Sequence, residues 1–403
     1  MPDSIIVCGV GTISKELIPY LAEKGYNLIV VTQNPQRANK EFGERITAID
    51  WNEIQKNAAI YFKDCHAVIN LARPPIGMLA HPTFSMTAFQ LAKEKKTFKE
   101  EGENTTRIMA NLCANHGVPG KTVFLNASAY NHYNSQDVHL VGEAYSDSLN
   151  YADKLPLDYL TEVNRAWEQA ANPAVIAGIR VVHLGFGLIA DQNSTGFSNI
   201  LALFQMGVGG RIGSGEQQIP MLSMRDALSA TLHCIDTPKL SGYINIAAFN
   251  VKQKTLALEL AKKIAEKPLA KQGWMYFILS YLFFWNHWIN NITKPAWLIK
   301  FGLGVFGEEL LLKSVAIESD KLGRSKFIFQ DKNINSAIEY ALEKPKDQLV
   351  IRSSYGKMGI LVNEQVSPDS PKLEEPIQSG ILFNSPKNSA PTKQGIDRTC
   401  SIF

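Results

Sequence analysis

The apolar run Ser4 to Val7 leads into Cys8-Gly9-Val10-Gly11-Thr12-Ile13-Ser14, and the amphipathic stretch Lys15 to Lys24 follows at once. Gly9 and Gly11 carry no Cβ, so a phosphate can come close to the backbone there. The free N–H groups of a helix starting at this turn add partial positive charge. Gly9-x-Gly11-x-x-Ser14 between a strand and a helix is therefore suited to a dinucleotide pyrophosphate. Ser14 is small enough to stand where a third glycine lets helix pack on strand. A second set of polar groups lies farther along, where Thr122-Val123-Phe124-Leu125-Asn126-Ala127-Ser128 is a strand with hydroxyls at its C-terminal end. That end is the crevice edge of an open parallel sheet.

The elements that position these groups follow from periodicity. Gly25 ends the first helix and the run Tyr26 to Thr32 makes a second strand, closing a βαβ unit. Arg45 to Asp50 predicts a third strand and Asp64 to Ala72 a fourth. A polar helix over Lys93 to His116 precedes the Ser128 strand, and helix Leu157 to Ala171 with strand Ala174 to Leu184 completes the sheet. The expected fold is α/β, a Rossmann-like doubly wound parallel sheet over 1–190, followed by a smaller α+β lobe over 191–345. In that lobe the pattern gives helices from Phe197, over Met224 to Asp236, over Thr255 to Ala265 and over Asn333 to Leu342. The Gly-rich segment Gly207 to Gly215 and a strand Tyr243 to Ala247 lie between them.

Bulk properties narrow the function. The 403 residues are 45% hydrophobic and 20% charged with net charge +3, an ordinary globular balance with no field to attract nucleic acid. Five cysteines (8, 65, 113, 234, 400) form no Cys-x-x-Cys pair, and the histidines have no metal-ligand spacing, so no disulfide framework or metal site is expected. No secretory pattern opens the chain, so synthesis is expected in the cytosol. Within an aromatic-rich insertion near 271–292, Trp274 to Trp288 concentrates Trp, Tyr and Phe but falls short of the ~20 apolar residues that span a bilayer. Such a stretch can pack in the core, roof an apolar pocket, pair subunits or dip into a membrane interface. From 346 to 403 the composition turns to Ser, Pro, Asn, Lys and Glu, as expected of a flexible tail.

Together, Ile5 to Ser14, Val30 to Pro35, Val68-Ile69-Asn70-Leu71-Ala72, Asn104, Ser128, Trp167-Glu168, Gly209 to Gly215 and Gly307-Glu308 resemble the extended short-chain dehydrogenase/reductases. The resemblance is to their epimerase branch with a small C-terminal domain, and it covers about 4–342. It implies an NAD or NADP cofactor near Gly9, Gly11, Ser14, Thr32, Gln33, Asn70, Ala72, Arg73 and Asn104, with Ser128 as catalytic hydroxyl and Tyr133 or Tyr159 as proton donor. The chain departs from that pattern at the site. Cys8 and Ser14 replace glycines, and a Cβ at Cys8 is expected to crowd the pyrophosphate. Gln33 stands where an Arg usually meets a 2′-phosphate. Arg73 replaces a glycine, adding bulk or holding a phosphate. Asn131-His132-Tyr133-Asn134 replaces Gly-Tyr-Tyr-Gly, with His132 expected to face solvent, and Ser223 and Arg225 stand for His and Asp. No Tyr-x-x-x-Lys follows the Ser128 strand before residue 171, the closest there being Tyr151-Ala152-Asp153-Lys154.

Two functions follow. One is an NAD(P)-binding epimerase or oxidoreductase with a degenerate site and a small-molecule ligand. The other is a membrane-tethered binding or scaffold module that keeps the fold, holds no cofactor and has lost the chemistry. Cys400-Ser401-Ile402-Phe403 matches the C-a-a-X signal, with Phe indicating geranylgeranyl. The expected partners are therefore a prenyltransferase and a membrane reached through prenylated Cys400. A bacterial source would make the protein an effector modified in a eukaryotic host.

Overall fold

β1 (Ser4–Cys8) alternates between two hydrophobic layers, because successive side chains of a strand point to opposite faces. Ile5 and Val7 enter one layer, Ile6 and Cys8 the other. The structure, a computed structural model, describes residues 3–74, 88–134, 140–144, 157–205, 209–266 and 313–343. The stretch 274–288, Tyr151 to Lys154, Gly207 and Val208, Gly307-Glu308, the tail from 346 and Cys400 lie outside the described residues.

β1 pairs in parallel with β2 (Asn27–Val31) and β4 (Cys65–Asn70), and β3 (Ile46–Ile49) extends the sheet beyond β2. On the other side follow β5 (Val123–Ala129), β7 (Arg180–Phe186) and β10 (Gly242–Ile246), giving the order β10-β7-β5-β4-β1-β2-β3 with every pair parallel. The order reverses between β1 and β4, the switch point where doubly wound sheets open their crevice. α1 (Thr12–Glu23) and α9 (Met224–Asp236) cover one face, with Leu17, Leu21, Ala227 and Leu228 against the strands. The other face carries α3 (Trp51–Lys56), α4 (Ala58–Tyr61), α5 (Ala88–His116), α6 (Tyr159–Gln169) and α7 (Asn172–Ile176). Asn34 caps α2 (Pro35–Phe42) by accepting the Arg37 N–H at 3.0 Å.

The smaller lobe is a three-stranded sheet of β8 (Leu188–Ala190), β9 (Gln218–Ser223) and β11 (Phe249–Lys252), packed with α8 (Thr195–Gln205), α10 (Gln253–Glu266) and α12 (Ile334–Glu343). Two short strands, β6 (Leu140–Val141) and β12 (Ala316–Ile317), pair beside it, and α11 (Asp320–Arg324) packs on β10.

Two boundaries differ from the pattern in the sequence. The expected strand Ala174 to Leu184 is a helix first: Pro173 opens α7, Gly178 turns the chain at φ +77°, and the strand begins only at Arg180. The segment 242–246, placed by sequence in the second lobe, returns to the first sheet as β10. Arg180 helps bind that return, since its guanidinium donates to the carbonyls of Cys234, Ile235, Thr237 and Leu240 in and just beyond the last turn of α9. Across the lobes, Arg225 forks onto Asp331, and Asp226 accepts the N–H groups of Gln330 and Asp331. Ser223 caps α9. The two residues that depart from His and Asp thus brace the join.

At the switch point, Gly9 sits at φ +87°, and a Cβ on it would lie 2.7 Å from the Ala72 Cα. Both the conformation and the space exclude a side chain. Gly9→Ala is therefore expected to lower stability by about 1–3 kcal/mol, measured by urea unfolding. An unchanged midpoint would show that the turn has room to spare.

Candidate active site

Parallel register sets one row of polar residues across four strands. Asn70, Asn126, His183 and Tyr243 stand side by side on β4, β5, β7 and β10, and Ser128, Gly185 and Asn245 form the next row. They share the face under α5 and α6, which delivers Thr106, Trp167 and Glu168 to the same place. Hydrogen bonds join them. The Asn70 Nδ2 donates to Asn126 Oδ1 at 2.9 Å and to Thr106 Oγ1 at 3.2 Å. The Arg73 guanidinium donates to Asn126 Oδ1 at 3.0 Å, to the Ala72 carbonyl at 2.8 Å and to the Ala127 carbonyl. It also lies over the Trp167 ring, 4.8 Å from the ring centre.

Glu168 is the hub. Ser128 Oγ donates to its Oε1, and His132 Nδ1 lies 2.7 Å from its Oε2. Burial alone would raise the Glu168 pKa, but the adjacent His132, with bonds from His132 and Ser128 and the nearby His183, outweighs it and holds the carboxyl below its usual range. An ionised carboxylate only accepts, so His132 Nδ1 carries the proton. The His132 ring stacks on Tyr243 at 4.1 Å, and its carbonyl accepts from Arg165 Nε at 3.2 Å. Burial lowers the His183 pKa against the pull of Glu168, leaving that imidazole neutral at pH 7.

The three groups do not compose a hydrolase triad. In Ser–His–acid catalysis the imidazole takes the serine proton, whereas here the carboxylate stands between the two and the imidazole bonds it from the far side. Ser128, His132 and Glu168 are 1%, 0% and 3% exposed, so their bonds are made within the protein. His132, expected to face solvent, is instead enclosed. Its neighbour Tyr133 is also enclosed and donates to Asn245 Oδ1 at 3.1 Å. Tyr159 stands apart at the start of α6, with its hydroxyl on the Lys95 carbonyl at 3.0 Å.

The residues expected around a cofactor divide into three groups. Gly9, Gly11, Ser14 and Ala72 gather at the switch point, with Thr32 and exposed Gln33 at the adjoining end of β2, where the Gly9 N–H donates to the Val31 carbonyl. Gly11 starts α1 without a side-chain cap, and the buried Ser14 hydroxyl has no hydrogen-bond partner among the described residues. Asn70 and Arg73 belong to the buried network. Asn104 lies on the exposed side of α5, and Thr106, two residues on, takes the inward place. Cys8 does not face the turn. Its side chain joins Ile6, Val31 and Val68 in the core, where burial pushes its thiol well up, so it does not crowd a pyrophosphate.

In the sequence Trp167-Glu168 carries only the family resemblance, and nothing in the pattern singles out His183 or Thr106. Their roles come from the register of β5 with β7 and the side of α5 and α6 that faces the sheet.

No known protein-family model matches the chain. It is 26% identical over 251 residues to an epimerase family protein of Mycobacterium leprae, covering 62% of this chain and 71% of that one. It is 21% identical over 339 residues to one from Staphylococcus haemolyticus, covering 84% and 98%. Among solved structures, a human epimerase family protein with NADPH superposes with TM-score 0.63 at 17% identity, covering 85% of this chain and all of that one. The fold is that of this human epimerase family protein. The Bordetella bronchiseptica enzyme WbmG, in complex with NAD and UDP, gives TM-score 0.58 at 12% identity, covering 85% and 94%. Among the described residues there is no cluster able to hold a metal ion and no helix long and apolar enough to cross a membrane.

The depressed Glu168 pKa fixes the sign of a pH effect. Its stabilisation is fully present above the unfolded value of ~4.3 and is lost as pH falls through the lower folded value. Glu168→Gln is expected to cost about 2–4 kcal/mol at pH 7, with the gap narrowing in acid, as read by urea unfolding between pH 7 and pH 3. A gap independent of pH would show that the carboxylate's charge is not what holds the network.

Proposed function

We propose that the chain is a nicotinamide-nucleotide-binding protein of the epimerase-like, short-chain dehydrogenase/reductase type whose former catalytic centre serves as a structural core. One observation carries the binding half. The turn between β1 and α1 leaves its backbone bare enough for a pyrophosphate, at a helix start with no side-chain cap and with a buried Ser14 hydroxyl that has no partner among the described residues. The residues fit the group: Gly9, Gly11 and the first N–H groups of α1 would hold the pyrophosphate, and the cofactor would supply hydride chemistry. Its presence in similar proteins solved with NADPH or NAD agrees with this.

The second half rests on Ser128. Its hydroxyl is buried and committed to Glu168, and residues 129–171, which follow it, hold no Tyr-x-x-x-Lys pair to lower a phenol pKa from ~10. Carbonyl reduction is therefore expected to be absent from simple substrates, while binding persists. The end of β2 favours the 2′-phosphorylated cofactor. No Asp or Glu stands among residues 32–37 to take a ribose diol, and exposed Arg37 lies in the first turn of α2.

Calorimetric titration of the full chain with NADPH, NADP⁺, NADH and NAD⁺ is expected to show NADPH binding at least about tenfold tighter than NADH, with the preference lost in Arg37→Ala. Equal affinities would remove the preference, and no binding by any of the four would remove the cofactor. Robust NADPH oxidation with simple carbonyls, lost in Ser128→Ala, would restore an oxidoreductase.

Membrane attachment through prenylated Cys400 is proposed from Cys400-Ser401-Ile402-Phe403. A single lipid chain anchors only marginally, gaining ~0.8 kcal/mol per buried CH₂, so a second contact is needed, for which Trp285 and Trp288 are suited. In eukaryotic cells the full chain is expected to sediment with membranes and Cys400→Ser to become soluble. A wild type found in the soluble fraction, or a Cys400→Ser protein still membrane-bound, would exclude lipidation as the anchor.

A further inference from the structure

Arg73 follows directly on Ala72, the residue whose backbone meets Gly9, and its side chain leads away from the turn. The chain runs on past Asn70 beside that turn, with the Leu71 N–H donating to the Cys8 carbonyl at 3.0 Å, and Ala72 then presses its backbone on Gly9. The Arg73 side chain enters the core at 1% exposure. It donates to the carbonyl of Ala72, to Asn126 Oδ1 and to the Ala127 carbonyl, and lies over Trp167. A planar fork satisfies such divergent acceptors at once, which an ammonium on a flexible stem does not.

We infer that Arg73 is a positioning residue for the nucleotide crevice: it pins the Ala72 peptide to the end of β5 and so fixes the wall against which Gly9 closes, without touching a phosphate itself. Its charge faces the interior, and what it controls is the spacing between two backbones. The effect on affinity rests on the cofactor proposal; the effect on the turn does not.

The test uses the full-length protein with Arg73→Lys and Arg73→Met. Hydrogen exchange is expected to quicken at least about tenfold in both variants for peptides covering 5–14 and 66–73, while 218–236 exchanges as in the wild type, since the loss of a buried charged hydrogen bond carries roughly that factor. Affinity for NADPH and for ADP should fall by a common factor, with the salt dependence unchanged. An Arg73→Lys protein with wild-type exchange and affinity would overturn the inference, because a phosphate contact is kept by a lysine whereas the fork is not. If Arg73→Met quickens exchange everywhere, Arg73→Gln keeps a buried neutral donor without the fork. It should quicken 66–73 selectively, and no change there also overturns the inference. Should the wild type bind neither nucleotide, the cofactor proposal fails while the exchange data still decide the role of Arg73.

Discussion

Burying the Glu168 carboxylate would cost several kcal/mol without compensation, and the residues around it are arranged to meet that cost. His132 supplies a nearby N–H and Ser128 a second donor, while His183, itself within reach of the Arg73 charge, lies close enough to act on the field. Each of these comes from a different element: α6, the turn after β5, β5 itself, the end of β4, and β7. The carboxylate therefore fixes how three strand ends and a helix meet. A hydrophobic residue of similar volume could fill the same space, but it would not specify which strand ends converge there.

The same bonds turn inward the groups that stand at the ends of β5 and β7. Strand ends at a crevice edge normally show hydroxyls to a ligand. Ser128 occupies that place in sequence, yet its bond to Glu168 turns it inward, and the bulk of Asn131 and His132 after it fills the enclosure rather than the cleft. The nucleotide side of the switch point is different. Gly9, Gly11 and Ser14 keep a bare backbone and a hydroxyl with no partner among the described residues. One half of the crevice has been absorbed into the core, and the other half has not.

The fold was legible in the sequence because strand and helix periods are local. The turn at Gly9, a fourth strand inside Asp64 to Ala72, the strand that carries Ser128 and the helix Met224–Asp236 all lie where the pattern puts them. The site was less legible because it depends on register and on which face an element turns. Nothing local separates Asn104 from Thr106, yet a step of two residues around α5 sends one to solvent and the other to Asn126. His132 read as a loop histidine, and only the approach of α6 encloses it. Cys8 read as an obstruction, although the alternation of β1 sends its side chain to the core. At Asn172–Ile176 a proline and a following glycine outweighed an apolar run that resembles a strand.

The late return of β10 to the first sheet has a consequence for how the molecule is made. During synthesis, residues 1–190 emerge with β7 as an open parallel edge, the N–H and C=O groups on its side away from β5 unpaired until residue 246 has followed. β10 cannot reach β7 before β8 and β9 have been made, since both lie between the two strands in the chain. Long-range parallel pairing of this kind is slow, and the edge stays exposed for the interval. The Arg180 fork on the end of α9 joins the edge strand to the helix that precedes β10, so it is placed to shorten that interval by bringing the last strand to its partner.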